Sequence, residues 1–522
     1  MNFDKIKSYI PEKAKIEYFG NTVSFEVAVS EIKEIAINLR HNKNLPLKLI
    51  TATDDRAEQG CFKIWYIFGV PEEQAFLALF IKLKNTEDFP SLASVIYESI
   101  NYERKIQTFF GLKPIGNPDS RPIILHENWP ANVYPLRKDF AWQTKPEEAK
   151  GEYLFQKVDG EGIYEIPVGP IHAGIIEPGH FRFSMAGEEM VLLESRLGFV
   201  HKGSEKLFEV LPIEKKIELA EKISGDSSFS HSLAFCQALE QLSQTILPRR
   251  AEYLRVIFAE LERLANHFGD IGAIMLDTGF NFGGANGARL REMVMQINED
   301  LTGSRFLRGV NIYGGVTKDI AVDKKEELSK NLINIRKDFL EIIKIVTGSV
   351  SLLNRLKGTG KLTSLLAKTY AALGVAAKAT GISLDARFDF PCAAYDELRL
   401  KNIEIENDGD VYARFMVRIK EVLASLELIE QALGKLPVGD INNKDIGALK
   451  KNAIAISIVE GWRGEIVYFV STDSQGNISR VMPRDPSFIN WSLLGEVIHQ
   501  NIIPDFPLIN KSFNLSYSGN DL

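Results

Sequence analysis

Cysteine is nearly missing from this chain. Its 522 residues include three, Cys61, Cys236 and Cys392, and no two are close enough to make a CxxC pair. That scarcity excludes a disulfide framework, and three thiols cannot supply the four ligands that an iron–sulfur cluster takes. A reducing compartment is the plain reading. Long apolar runs are missing too, since no stretch of about 18 apolar residues occurs and no membrane-spanning helix is expected. The first ten residues, with Asp4, Lys5 and Lys7, lack the apolar core of a secretory signal. Positive charge is not in excess: the formal net charge is -7, which argues against nucleic acid as a partner because phosphate binding needs a concentrated basic surface. Nucleotide motifs are absent as well. Gly358-Thr-Gly-Lys361 lacks the leading glycine and the trailing Ser or Thr of a P-loop, and Gly283-Gly284 with Gly287 lacks the G-x-G-x-x-G spacing.

What is present describes an ordinary globular protein, 45% hydrophobic and 25% charged, long enough for two or three domains. Residues 1 to about 100 alternate strand-like runs, Thr22–Val29 and Cys61–Val70, with helical patterns at Glu31–Asn38 and Ser91–Glu103, as in a small α/β domain. A Lys-, Glu- and Gly-rich stretch, 146–165, reads as a linker. From Ile166 to Leu207 the strand-like alternation is broken by Gly174, Pro178-Gly179 and Gly187, which predicts a small antiparallel sheet. The rest is mainly helical. Arg249–Gly269 is a long amphipathic pattern whose pairs Glu252/Arg255 and Glu260/Arg263 are expected on its exposed side, worth only tenths of a kcal/mol. Further helices are expected at Ala288–Leu301, Lys324–Val350 and Asp410–Leu433, and a late hairpin at Gly464–Asp473. Asp385, Arg387 and Asp389 alternate as on one face of a strand and are expected to form a buried ion-pair network, with a proton path as the sharper alternative.

Two sets of motifs carry a resemblance. Glu103-Arg104, Gly111, the turn Gly116-Asn-Pro118-Asp119-x-Arg121, Trp129 and the run Pro135–Phe140 resemble the 30 kDa subunit of respiratory complex I, with Asn117 in place of the family histidine and Lys105 and Thr108 in place of acidic residues. Those replacements are expected to weaken a contact inside the module. Gly169-Pro170-x-His172, then Gly198, His201, Gly203, Glu205 and Lys206, followed by Gly314-Gly315, Asp385 and Arg387, Val459–Glu465 and Arg484–Asn490, resemble the complex I 49 kDa subunit and the large subunits of group 4, energy-converting [NiFe] hydrogenases of the hydrogenase-4/formate hydrogenlyase type. The expected fold is α+β. A 30 kDa-like domain over 1–145 leads, through the linker, into a 49 kDa-like, mainly helical domain over 166–522 that opens on the small antiparallel sheet.

The resemblance implies a metal site without its ligands. In the hydrogenases Cys-Gly-x-Cys, then Ser and His, holds nickel and iron; here the stretch reads Ser224-Gly225-Asp226-Ser227 and continues to His231. Hydroxyls are hard donors, whereas such centres need soft sulfur. No cysteine follows Cys392, and the last residues offer Ser512, Ser516 and Ser518 instead. A NiFe centre is therefore expected to be absent, which agrees with a chain that stops at Leu522 without a removable tail. Cys236, on an apolar run, reads as a buried structural thiol, and His180 as a sheet-packing residue. Quinone reduction is the second chemistry that the resemblance implies. His172 matches the family's head-group histidine, but the expected tyrosine falls near Ile213, which has no polar group. The candidate cavity residues are His172, His231 and Asp226 as catalytic groups and His172, His201, Ser224 and Ser227 as quinone contacts; Lys202 and Glu205 could join them. The implied partners are a small iron–sulfur subunit like the complex I 20 kDa protein, which would carry a [4Fe–4S] cluster, and antiporter-like membrane subunits, with this chain peripheral on the cytoplasmic side of the membrane. The alternative is a non-catalytic assembly scaffold.

Overall fold

The computed structural model describes residues 3–399 and 406–522. Its fold is α+β. Strands β1 (Ile16–Phe19), β2 (Thr22–Glu26), β3 (Leu47–Asp55), β4 (Cys61–Val70) and β5 (Ala75–Leu83) form one sheet in the order β1-β2-β5-β4-β3, antiparallel except for β2 against β5. The aromatic and β-branched run of β4 is buried over its whole length, as such residues prefer on a pleated surface covered on both faces. Helix α1 (Ile100–Phe110) turns Tyr102, Ile106, Phe109 and Phe110 inward at helical spacing. It starts later than the sequence pattern predicts because Ser91 Oγ and Leu92 N are held at 2.5 and 2.7 Å by the Glu103 carboxylate, which fixes the chain before it as a turn. Two of the replaced motif residues make buried or partly buried contacts. Asn117 donates to Glu103 at 2.9 Å, and Lys105 makes a buried ion pair with Glu205.

Residues 116–162 hold no regular element. Strands β6 (Ile163–Val168), β7 (His180–Ala186) and β8 (Glu189–Arg196) then make an antiparallel sheet in the order β8-β7-β6. Helices α2 (Ser228–Ser243), α3 (Arg249–Asp277), α4 (Asn281–Thr302), α5 (Val322–Thr347) and α6 (Val411–Lys435) follow.

The exposed side expected for α3 does not exist. Covered by α2, α4, α6 and the late helix Phe506–Phe513, the helix is buried almost all round, and Arg255, Glu260, Glu262, Arg263 and Asp270 are all buried on it. Arg255 binds Glu240 at 2.7 and 2.8 Å rather than Glu252, while Glu260 and Arg263 are fully buried and 3.1 Å apart. They join a network in which Arg387 reaches Glu260 at 3.2 Å, Glu421 at 2.8 Å and Asp385 at 2.7 Å, and Lys378 reaches Asp385 and Glu421 at 2.7 and 2.6 Å. The strand expected around Asp385 is instead a helical turn, Ala386–Asp389, because the Asp385 side chain caps it by accepting from Arg387 N at 3.0 Å. Asp389 stays outside the network, half-buried.

The late hairpin gains a third strand. β9 (Ile454–Gly461), β10 (Gly464–Thr472) and β11 (Ile478–Arg484) form an antiparallel sheet whose two faces alternate between two cores. Ile454, Ile456, Ile458, Val467 and Phe469 pack with the N-terminal sheet, whereas Ala455, Val459, Ile466, Tyr468 and Val470 pack with the helices. Helices α7 (Pro486–Val497) and α8 (Phe506–Phe513) and a last helical turn, Tyr517–Asn520, follow.

Candidate functional site

The Ser224–Ser227 turn lies just before α2 and is tied down from two sides. Asn266 of α3 and the Trp462 indole, from the β9–β10 turn, both donate to the Asp226 carbonyl, at 2.8 and 3.1 Å. Arg463, the next residue in that turn, reaches into the space that the serines face. Its guanidinium grips the Asp226 carboxylate through two 2.7 Å bonds, its Nε donates to the Asn514 carbonyl at 2.5 Å, and Nη1 stands 3.3 Å from Ser224 Oγ and 3.5 Å from Ser227 Oγ. Ser224 Oγ also donates to Ser516 Oγ at 2.9 Å, so the early serine and one of the late serines meet across 292 positions. Burial opposes ionisation of Asp226, yet the Arg463 cation holds its carboxyl below the usual range.

Behind this pair stands His231. It is fully buried on α2, 3.0 Å from the Tyr468 hydroxyl through Nδ1 and 3.0 Å from Asp485 through Nε2. Asp485 caps α7 by accepting from Ser487 N at 2.8 Å, and despite its burial the His231 bond keeps its carboxyl low. Gly519 passes so close that an added Cβ would lie 2.6 Å from Asp485 Cγ. No side-chain donor fits at that position.

A cleft of about 560 Å³ opens on the solvent side of Arg463. Ser224, Asp226, Asn266 and Asp270 are among its polar lining residues, and Ile175, Ile176 and Phe306 are among its apolar ones. Burial pushes the Asp270 carboxyl up, although Arg418 lies 2.8 Å away and Asn514 donates at 2.6 Å.

Of the six residues that the sequence singles out, Ser224, Asp226 and Ser227 meet around Arg463, and His231 adjoins them on α2, its backbone N donating to the Ser227 carbonyl at 3.0 Å. The other two histidines stand apart from the cleft's lining. His172 bonds the Gly179 carbonyl at 2.7 Å and braces its own β6–β7 loop, although its neighbours Ile175 and Ile176 reach the cleft. His201 bonds the Asp521 carbonyl at 2.7 Å with its ring 5.5 Å from Phe109. Its neighbour Lys202 bonds Ser518 Oγ at 2.5 Å, and Glu205 pairs with Lys105 and Arg480. This signature segment thus anchors the C-terminal residues and the N-terminal module. Cys236 is buried, and Ile213 opens a short helix, Ile213–Ala220, against the helical core. Sequence reasoning missed Arg463 and Asp485. The signal available for Arg463 was a lone cation between Trp462 and Gly464 in an otherwise buried hairpin.

The donors at the turn are hydroxyls and a carboxylate, not the thiolates that a dinuclear NiFe centre takes. That carboxylate is engaged by a guanidinium, and a second cation would meet Arg463. Among the described residues no three His, Cys, Asp or Glu side chains converge as metal ligands, and no helix is long and apolar enough to cross a membrane.

Comparison with known proteins places these features in a lineage. Residues 25–146 match the family model of the respiratory-chain NADH dehydrogenase 30 kDa subunit, and residues 277–454 and 446–521 that of its 49 kDa subunit. The chain is similar to hydrogenase-4 component G of Escherichia coli strain K12, 30% identical over 96% of this chain and 88% of that protein. It is 28% identical to formate hydrogenlyase subunit 5 of the same organism, over 95% of this chain and 88% of that protein. It is also 28% identical to the C/D component of NADH-quinone oxidoreductase from Phocaeicola vulgatus, over 87% of this chain and 90% of that protein.

Proposed function

The chain belongs to the family of the respiratory-chain NADH dehydrogenase 30 kDa and 49 kDa subunits, joined in one polypeptide, and from that premise we propose that it serves a membrane-associated oxidoreductase complex as a peripheral subunit without a NiFe centre. In this reading a small iron–sulfur partner delivers electrons from its [4Fe–4S] cluster to the cleft beside Arg463, and antiporter-like membrane subunits use the event to move ions. The subunit sits on the cytoplasmic side of the membrane.

The observation that carries the reading is the cleft itself. A scaffold that has merely lost its metal tolerates apolar filling around Ser224 and Ser227, whereas this cleft stays open and brings Asp226, Asp270 and Arg463 into a lining that is otherwise largely apolar. Its substrate is of the quinone class. Two-electron reduction to the quinol takes up two protons, and Asp270, a lining carboxylate whose affinity for a proton is raised by burial, is assigned to relay one from water while water supplies the other directly.

The test is made on the intact complex, purified in mild detergent. A short-chain quinone should be reduced without stoichiometric nickel, and Asp270→Asn should slow turnover by about a hundredfold in a complex that still assembles. One nickel per chain overturns the metal-free reading. Absence of quinone turnover with all partners bound overturns the redox role in favour of a scaffold.

A further inference from the structure

The seat between the Ser224–Ser227 turn and the last residues is filled by the chain's own cation. We propose that it is a guanidinium seat: the Arg463 head group clamps the C-terminal segment onto the early turn, and the seat selects a planar organic cation over a transition metal. The proposal rests on the metal-free reading above and adds what occupies the space and what the occupant does.

Shape and charge both point to this. The Asp226 carboxylate meets the guanidinium end on, Nη1 and Nη2 each donating at 2.7 Å, the fork-to-fork pairing that suits a planar guanidinium. The Trp462 ring covers the guanidinium at 3.8 Å, a contact that favours a flat, weakly hydrated cation. The Asn514 carbonyl takes Nε–H, and the two serine oxygens stand within reach of Nη1. The turn that presents Arg463 is itself pinned. Gly374 approaches it so closely that a Cβ there would fall 2.0 Å from the Arg463 carbonyl oxygen, and Gly374 has φ +55°, where glycine is favoured. Arg463 therefore reaches the seat from a fixed base.

The segment clamped runs from Ser512 to the end of the chain. Asn514 is bonded directly, and Ser516 through Ser224. Ser516 N in turn donates to Ser487 Oγ at 2.9 Å, which links the segment to α7. Loss of the guanidinium leaves the Asp226 carboxylate with the Ser224 hydroxyl alone and takes the donor from the Asn514 carbonyl, leaving that residue's side chain with its Asp270 bond alone, so residues 512–522 should loosen before the cores do.

Arg463→Ala in the full-length chain should lower Tm by about 5 °C and speed amide exchange across residues 512–522. Millimolar guanidinium chloride should reverse both changes. Equal concentrations of urea, sodium chloride or nickel chloride should reverse neither, and Arg463→Lys should not respond to guanidinium. If Arg463→Ala alone is insoluble, Arg463→Ala with Asp226→Ala removes the carboxylate as well and should fold without any guanidinium response. Unchanged exchange at 512–522, or rescue that urea matches, overturns the clamp. Stoichiometric nickel on the wild-type chain overturns the metal-free reading beneath it, so the two failures are told apart.

Discussion

Glu262 is one residue through which pH should act on the site. It lies on α3 and accepts from Phe229 N, Ser230 N and Ser230 Oγ at 2.6, 3.1 and 2.5 Å, at the first turn of α2 where free N–H groups favour negative charge. Burial wins, with the Asp226 carboxylate adding to it, and the Glu262 carboxyl is pushed up to about 7. A folded value above the ordinary 4.5 means that its stabilising contribution is complete below that value and is lost as pH rises through about 7. Glu262→Gln keeps an acceptor for Phe229 N and has nothing to titrate. Its stability should therefore fall less than the wild type's between about pH 5 and about pH 8, by on the order of 1–3 kcal/mol. Parallel pH profiles from urea unfolding of the two proteins would remove Glu262 as the cause. At this scale the sequence was half legible. Ser224, Asp226, Ser227 and His231 share one short window, so their nearness could be read from it. Arg463, Asp485 and Ser516 come from more than 230 positions further on, and no local pattern announces such a meeting.

At the scale of elements, α3 and α4 show why a motif that fails as a nucleotide site is nonetheless informative. Gly283, Gly284 and Gly287 lie inside α4, where glycine costs about 1 kcal/mol relative to alanine. They are there for contact. A Cβ on Gly287 would lie 2.5 Å from Gly272 Cα, and one on Gly283 would lie 2.3 Å from Met275 Sδ. Gly287→Ala gains about 1 kcal/mol of helix propensity, but its methyl meets backbone that cannot step aside, an overpacking cost of about 1–3 kcal/mol. The net should be destabilising. A calorimetric Tm equal to or above wild type would show that the helices can move apart. The same close packing explains a misreading. Periodicity located α3 and α6 to within a turn at their starts, but the i,i+3 charges of α3 read as a solvated face. Buried ion pairs look identical in sequence to exposed ones, and only the helices packed on every side of α3 turn Glu260 and Arg263 inward.

On the scale of the whole molecule, the decisive feature is that β9, β10 and β11 belong to two cores at once. Fold class and motif order were legible because several long motifs recur in one order; the sharing of this sheet was not, since a fully buried strand reads as an apolar run whichever cores it separates. Its energetic weight can be argued from contacts across the shared face. The Trp65 and Phe469 rings lie 5.5 Å apart, Tyr102 and Phe488 5.1 Å apart, and Phe76 stacks on Phe390 at 4.9 Å. Lys48 makes a buried 2.6 Å pair with Glu465, and Arg480 covers the outer strand β3 by donating to the Ala52 carbonyl at 3.2 Å and to Thr51 Oγ1 at 3.2 Å. Residues 1–145 expressed alone would lose all of these partners. Lys48 would be stranded, the β3 edge would present unpaired backbone groups, and aromatic side chains that bury about 150–250 Å² each would face water. The isolated segment should therefore bind an apolar dye and associate, whereas the full chain should not, and adding residues 454–490 as a separate peptide should quench the dye signal. A monomeric, cooperatively melting fragment would instead mean that the N-terminal sheet folds without the shared wall, and that the late strands merely dock on a finished surface. The first outcome makes the wall between the modules part of the stability of both, so that a change at Arg463, on the turn joining β9 to β10, would be felt in either core.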